Sequence, residues 1–429
     1  MSARLISAPE TRLETRSAKA GALENMARRI VFSRLEKLDE GQITVREQGS
    51  LVSFGKLSEE FPMTAEIVVQ KPQFYSDIAF GGSIGAGESY MHGCWTCDDL
   101  TTLLRIVIRN RDVLEMIDSG LSLLSKPLQK CFHALKRNTR GGSRRNIAAH
   151  YDLGNDFYRL WLDSKMMYSC AWFESPGASL EHASTAKLER ICRKLDLRES
   201  DSVLEIGTGW GGMAIHAARH YGCHVTTTTI SRQQYDHARQ AIRDAGLEDK
   251  ITLLFKDYRD LEGRYDKLIS IEMIEAVGHE YHEVFFRKCQ ELLKPDGQML
   301  LQTITIADQR YEQYKNDVDF IKRYIFPGGC LTSVTDMARV MTKHTDMRMV
   351  HLEDIGLHYA ATLRHWHRRF NASIDDVKAL CYSDEFIRMW RFYFCYCESA
   401  FLERVIGDAQ ILFARAASQR NQHGAELVL

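Results

Sequence analysis

From Ser202 onward the chain reads as strand, helix, strand, helix, and few folds tolerate that order. Apolar, β-rich runs at 203–206, 224–229, 251–255, 267–271 and 298–303 alternate with helical patterns at 213–220, 233–245 and 283–293. Parallel strands need long crossovers, and helices supply them. The pattern therefore predicts an α/β fold with a parallel sheet covered on both faces. The stretch 386–416 is rich in aromatic and helix-forming residues and reads as packed helices that complete the cover.

The first third follows a different rhythm. Leu23, Met26, Ile30, Phe32 and Leu35 fall on roughly one helical face. Short β-rich runs at 43–45, 51–54 and 65–69 precede a helical stretch at 100–108. Together these predict a smaller α+β module over residues 1–130. A basic segment broken by Gly-Gly-Ser marks a linker at 131–147, leaving 148–429 as the α/β domain with its helical cover. The segment is either a solvated connector or a patch for anionic lipid headgroups, with Arg137, Arg140, Arg144 and Arg145 as its charges.

Lys and Arg total 56 against 57 for Asp and Glu, a net charge of −1, so bulk charge predicts no nucleic-acid partner. The eleven cysteines are odd in number and lack disulfide spacing, and Cys94-x-x-Cys97 has no second pair to complete a zinc site. Both cysteines read as packing residues and no metal is expected. The N-terminal residues carry charges throughout, without an apolar signal region, and no apolar run approaches membrane-spanning length. The expectation is a cytoplasmic protein that does not cross the membrane.

The strongest local signal is Gly207-Thr208-Gly209-Trp210-Gly211-Gly212, directly after the 203–206 strand. Glycines there allow a tight turn and close backbone approach to a ligand, while the following helix offers free N–H groups. The spacing alone also suits dinucleotides. A dinucleotide fold usually wants an acid about 20 residues on for the ribose, and Thr226 to Thr229 stand there instead. Glu205, two residues before the first glycine, suits the amino-acid end of S-adenosylmethionine. The residues favour that cofactor over a nicotinamide dinucleotide.

Several further stretches resemble the cyclopropane-fatty-acyl-phospholipid synthases and their mycolic-acid-modifying relatives. They are 150–158 (HYDLGNDFY), 167–170 (MYSC), the glycine turn, 229–234 (TISRQQ), 257–261 (DYRDL), 272–278 (EMIEAVG) and 324–329 (YIFPGG). In the first module, 87–91 (GESYM) is similar too. The resemblance implies a Rossmann-like class I methyltransferase domain behind a smaller lipid-interacting α+β domain. It implies methyl transfer from S-adenosylmethionine to a cis double bond of a phospholipid acyl chain. It also implies peripheral attachment to the inner face of the membrane and a homodimer.

In such a reaction the alkene attacks the sulfonium methyl, and a base must then take a proton beside a carbocation. The resemblance implies a bound bicarbonate as that base, held by Cys170, Glu275, Gln302, the backbone of Ile304, and Tyr359. For the cofactor it implies Tyr168 and Ser169 at the carboxylate, with Glu205, Gly207 and Gly209 along the methionine portion. Thr229, Ile230 and Gln234 would flank ribose and adenine, with Asp257 and Tyr258 beside the base. Two positions depart from the family pattern: Gln302 and Ala276 stand where histidine is usual. Glutamine hydrogen-bonds but carries no proton, which bears on ring closure more than on methyl transfer. A methylene- or methyl-branched product is the alternative, and a lipid-binding protein without catalysis is the alternative of another class.

Overall fold

The computed structural model describes residues 21–118, 142 and 153–419. In the larger domain, strands Ser202–Ile206 (β5), His224–Thr229 (β6), Ile251–Phe255 (β7), Tyr265–Ile271 (β8) and Leu293–Ile306 (β9) are mutually parallel in the order β7-β6-β5-β8-β9. The helices Gly212–Tyr221, Arg232–Asp244 and His282–Leu292 provide crossovers, as the alternation predicts. The strand order reverses between β5 and β8, and an open α/β sheet collects its ligand at such a switch point.

Two strands complete the sheet beyond β9. Ile406–Ala414 (β11) pairs antiparallel with β9, and Arg348–Asp354 (β10) pairs antiparallel with β11. This corrects the helical reading of 386–416. The helix runs only over Asp384–Leu402, and the segment after it enters the sheet with Ala409 to Ala414 buried. A strand covered on both faces carries a continuous apolar run, here with Ile411, Leu412 and Phe413, which periodicity alone does not separate from a buried helix.

The smaller module is a four-stranded sheet in the order β2-β1-β3-β4, from Ser50–Lys56 (β2), Gly41–Glu47 (β1), Thr64–Val69 (β3) and Trp95–Cys97 (β4). Helices Ala22–Leu35, Gln73–Met91, Leu100–Arg109 and Arg111–Asp118 accompany it. The first helix buries Ala27, Val31 and Leu35, while Leu23 and Met26 are exposed, so the packed face is rotated from the expected one. The long second helix is a finding beyond the sequence reading. Its glycines argue against a helix, and Gly82, at φ 64° and ψ −146°, breaks it into two segments. The basic segment around Arg137–Arg145 and the terminal residues lie outside the described residues.

The modules share one core. Trp161, Trp366, Trp390, Phe157 and Phe394 pack in edge-to-face and tilted pairs around the Asp384–Leu402 helix. The opposite stripe of that helix, Phe392, Tyr393, Tyr396, Ala400 and Phe401, faces a cavity. Glu88, from the GESYM stretch, accepts a 2.5 Å hydrogen bond from the Tyr324 hydroxyl and lies 2.8 Å from Arg323. It ties the small module to the π-helical turn Ile321–Ile325 of the large one. Among the described residues no helix is long and apolar enough to cross a membrane, and no cluster of metal-ligating side chains occurs. Cys94 is buried and Cys97 half-buried, both as free thiols.

Candidate active site

A cavity of about 670 Å³ opens over the carboxyl ends of β5, β6 and β8 and runs on into the small module. Its floor is the glycine turn. Gly207 and Gly209 stand at φ 99° and 53°, a region costly for other residues. A β-carbon at Gly207 would press to 3.1 Å on Met273, whereas one at Gly209 would meet nothing within 4 Å. The turn is thus shaped by packing on one side and open on the other.

The ten residues expected around the cofactor all line this cavity: Tyr168, Ser169, Glu205, Gly207 and Gly209 at one end, Thr229, Ile230, Gln234, Asp257 and Tyr258 along it. Glu205 is buried and takes a 2.6 Å hydrogen bond from Thr227, and burial pushes its pKa up to about 7. A buried acid beside an open turn suits an ammonium group. Asp257 caps the turn Tyr258–Asp260 and holds the Arg259 guanidinium at 2.8 and 2.7 Å. The Thr229 hydroxyl donates to Gln234 Oε1 at 2.8 Å, fixing the rim. The residues fit S-adenosylmethionine.

Beside this cradle lies a cluster of buried acids. Glu272, just past β8, accepts from the Cys170 N–H at 2.8 Å, from Gln302 Nε2 at 2.8 Å and from the Tyr359 hydroxyl at 2.7 Å. Glu275 accepts from Thr303 at 2.9 Å and from the Ile304 N–H at 2.5 Å, and its other oxygen is buried without a partner. Burial, with the neighbouring Glu272, pushes the Glu275 pKa up to about 8. Behind Glu272, Gln302 also donates to Asp408 at 3.2 Å and accepts from Gln410 at 3.1 Å. Burial and the charge of Glu272 hold the Asp408 carboxyl well above the usual carboxylate range.

The five groups expected to ring a bicarbonate are therefore brought together, but around side-chain carboxylates. Cys170, Gln302 and Tyr359 serve Glu272, while Ile304 serves Glu275, the fifth member. A separate bicarbonate does not fit this arrangement, because the donors that would hold it are engaged. Two expected catalytic side chains also move out of contact. The Cys170 thiol is buried against the carbonyls of Ala171 and Ile355, where burial raises its pKa. Gln302 is fully buried behind the cavity wall. Glu275, Ile304 and Tyr359 do line the cavity.

Three ionisable residues of this cluster escaped the sequence reading. Glu272 opens the 272–278 stretch, but the resemblance implies no role for it. Asp408 lies in the strand read as helix. Lys187 is fully buried and donates to Ser169 Oγ at 2.7 Å. It sits within the buried stripe Leu180, Ala183, Ser184, Leu188 and Ile191. A lysine inside an apolar stripe is the signal that could have found it.

Fold and site together define a class I S-adenosylmethionine-dependent methyltransferase. The family model described as mycolic acid cyclopropane synthetase matches residues 138–411, and the chain belongs to that family. It is 36% identical to the tuberculostearic acid methyltransferase UfaA1 of Mycobacterium tuberculosis over 349 residues, 79% of this chain and 81% of that one. It is 37% identical to the cyclopropane-fatty-acyl-phospholipid synthase of Escherichia coli K12 over 356 residues, 82% of this chain and 88% of that one. Among solved structures it is similar to the mycolic acid cyclopropane synthase CmaA1 complexed with SAH and CTAB. That match has 30% identity and a TM-score of 0.60, over 63% of this chain and 98% of that one. These relatives place the chain among enzymes that modify lipids with S-adenosylmethionine.

Proposed function

We propose that this protein transfers the methyl group of S-adenosylmethionine to the cis double bond of an unsaturated phospholipid acyl chain and closes a cyclopropane ring. One observation carries the reading: a single cavity joins the glycine turn and Glu205 to an apolar interior lined by Val31, Ile43, Ile78 and Leu103 of the small module. An alkene is a weak nucleophile, so it must be held dry and aligned with the methyl. Phe392 and Phe401 supply apolar walls, and the Tyr359 ring stacks on Phe401 at 4.5 Å. Aromatic faces favour the positive charge that develops on the chain.

The bound cofactor contributes an electrophilic methyl on a sulfonium. Glu205 would hold its ammonium, and Ser169, with Lys187 behind it, its carboxylate. The small module would receive the acyl chain at the inner face of the membrane, in a homodimeric enzyme of the cytoplasm. A second reading, a methylene-branched product, is favoured by Gln302, which is pinned between Glu272, Asp408 and Gln410 and carries no proton. The purified protein, given dioleoyl phospholipid vesicles and methyl-labelled cofactor, should yield labelled fatty acids. Proton NMR then separates the upfield cyclopropane signals from vinylidene signals. Absence of label in lipid, from protein that binds S-adenosylhomocysteine, sinks the proposal.

A further inference from the structure

We infer that Glu272 is the built-in general base of the reaction, taking the proton that a free bicarbonate would otherwise remove. The inference rests on the lipid-methylation reading above. Three donors from distant parts of the chain, the Cys170 N–H, Gln302 Nε2 and the Tyr359 hydroxyl, converge on this one carboxylate at 2.7–2.8 Å. Glu272 lines the cavity beside Met273, Ala276 and Ile304. A cage of N–H and O–H donors of that kind is an anion seat, and here the anion is covalently part of the protein.

The backbone supports the same conclusion. Glu272 stands at φ 47°, in the left-handed region that side-chain-bearing residues avoid. Glycine would adopt that geometry freely, so the glutamate stands there under strain. Its surroundings then set its charge. Asp408, in contact behind it, holds a proton because burial and the Glu272 charge oppose a second anion. Lys187 is the buried cation facing Glu272, Asp408, Asp163 and Cys170. Glu275 is the other acid on the cavity wall, and with its pKa near 8 it stays protonated at neutral pH. Burial raises the Glu272 carboxyl as well, but the hydrogen bonds from Tyr359, Cys170 and Gln302 and the charge of Lys187 all favour its ionised form. This cage singles it out as the acceptor.

The step balances without a further reagent. The S–CH3 bond breaks as the alkene π pair forms the new C–C bond, leaving a cation on the neighbouring chain carbon and neutral S-adenosylhomocysteine. Glu272 takes a proton from the added methyl, and that C–H pair either closes the ring or, after a 1,2-hydride shift, forms an exocyclic double bond. Both products gain one CH2 with no net oxidation or reduction. The hydrogen bonds on Glu272 also blunt its nucleophilicity, so that it deprotonates the cation instead of forming an ester with it.

The test compares the full-length protein with Glu272→Gly and Glu272→Gln on dioleoyl phosphatidylglycerol vesicles, in CO2-stripped buffer and in buffer with added bicarbonate. Methylated fatty acids are measured, and S-adenosylhomocysteine binding confirms folding. Glycine suits the backbone at 272, so the glycine variant folds without strain. The expected result is wild-type turnover indifferent to bicarbonate. Both variants should fall by about 100-fold in stripped buffer, the usual worth of a general base. Bicarbonate should restore a substantial part of the Glu272→Gly rate by filling the emptied seat. Wild-type turnover that collapses on stripping and returns with bicarbonate overturns the inference. So does a variant that keeps more than roughly a tenth of the wild-type rate without bicarbonate. Wild-type protein that binds S-adenosylhomocysteine yet labels no lipid fails the lipid reading and the inference with it.

Discussion

Lys187 Nζ donates a 2.7 Å hydrogen bond to the Ser169 hydroxyl, and both side chains are buried beneath the site. The same ammonium is the counter-charge for Glu272. Removing one partner of a buried ionic cluster leaves the rest uncompensated, typically at about 3–5 kcal/mol. Lys187→Met should therefore destabilise the fold by about that much, and the deficit should narrow as pH falls and the acids protonate. Chemical denaturation at several pH values measures both effects. A pH-independent loss would assign Lys187 a packing role only.

Glu275 sets a pH dependence of the opposite sign from ordinary surface acids. Its pKa is near 8 in the fold against 4.5 in an unfolded chain, so between those values the folded state binds more protons. Stability is full below about 4.5 and is lost as pH rises through about 8, at up to about 1.4 kcal/mol per pH unit. Glu205, raised to about 7, acts in the same direction. The melting temperature should fall between pH 5 and pH 8.5, and Glu275→Gln should flatten that fall. An unchanged slope in the variant would place the titration elsewhere.

Cys170 contributes its backbone to the site. The thiol faces the carbonyls of Ala171 and Ile355, and the N–H faces Glu272. Cys170→Ala should keep turnover within a few-fold and lose about 1 kcal/mol of stability from the lost packing. Loss of turnover with an intact fold would show that the thiol itself takes part.

Much of this architecture was readable, and the gaps have physical causes. The alternation from Ser202 gave the parallel strands because crossover helices and buried strands have distinct periods and lengths. The glycine turn and Glu205 pointed to the cavity floor because close backbone approach and positive φ require glycine there. The Gln73–Met91 helix was hidden because its four glycines oppose local propensity and packing overrides it. β11 was hidden because a strand buried on both faces loses its alternation. Without β11, Asp408 had no place in the site. Glu272 has a role only once Cys170, Gln302 and Tyr359 converge from separate elements, and no local pattern encodes that convergence.

Cofactor binding is expected to release a proton from Glu205. Free, its pKa is near 7 because burial disfavours the charge, and an ammonium placed against it favours ionisation. S-adenosylhomocysteine binding at pH 6 should release a substantial fraction of one proton. Calorimetry in buffers of different ionisation enthalpy detects it as a difference in apparent heat. Glu205→Gln should abolish the difference and weaken binding by about 10-fold or more, the worth of one charge-assisted hydrogen bond. Equal heats in all buffers with the native protein would place the ammonium elsewhere.

The insertion of Ile406–Ala414 between β9 and Arg348–Asp354 has a consequence for biosynthesis. The sheet cannot be finished by a growing polypeptide until that segment has left the ribosome, since the slot it fills separates two strands translated earlier. Asp408, the carboxyl that Gln302 reaches behind Glu272, arrives with it. A nascent chain thus lacks the support behind Glu272, however well its cofactor cradle has already formed, until this late strand zips into its gap.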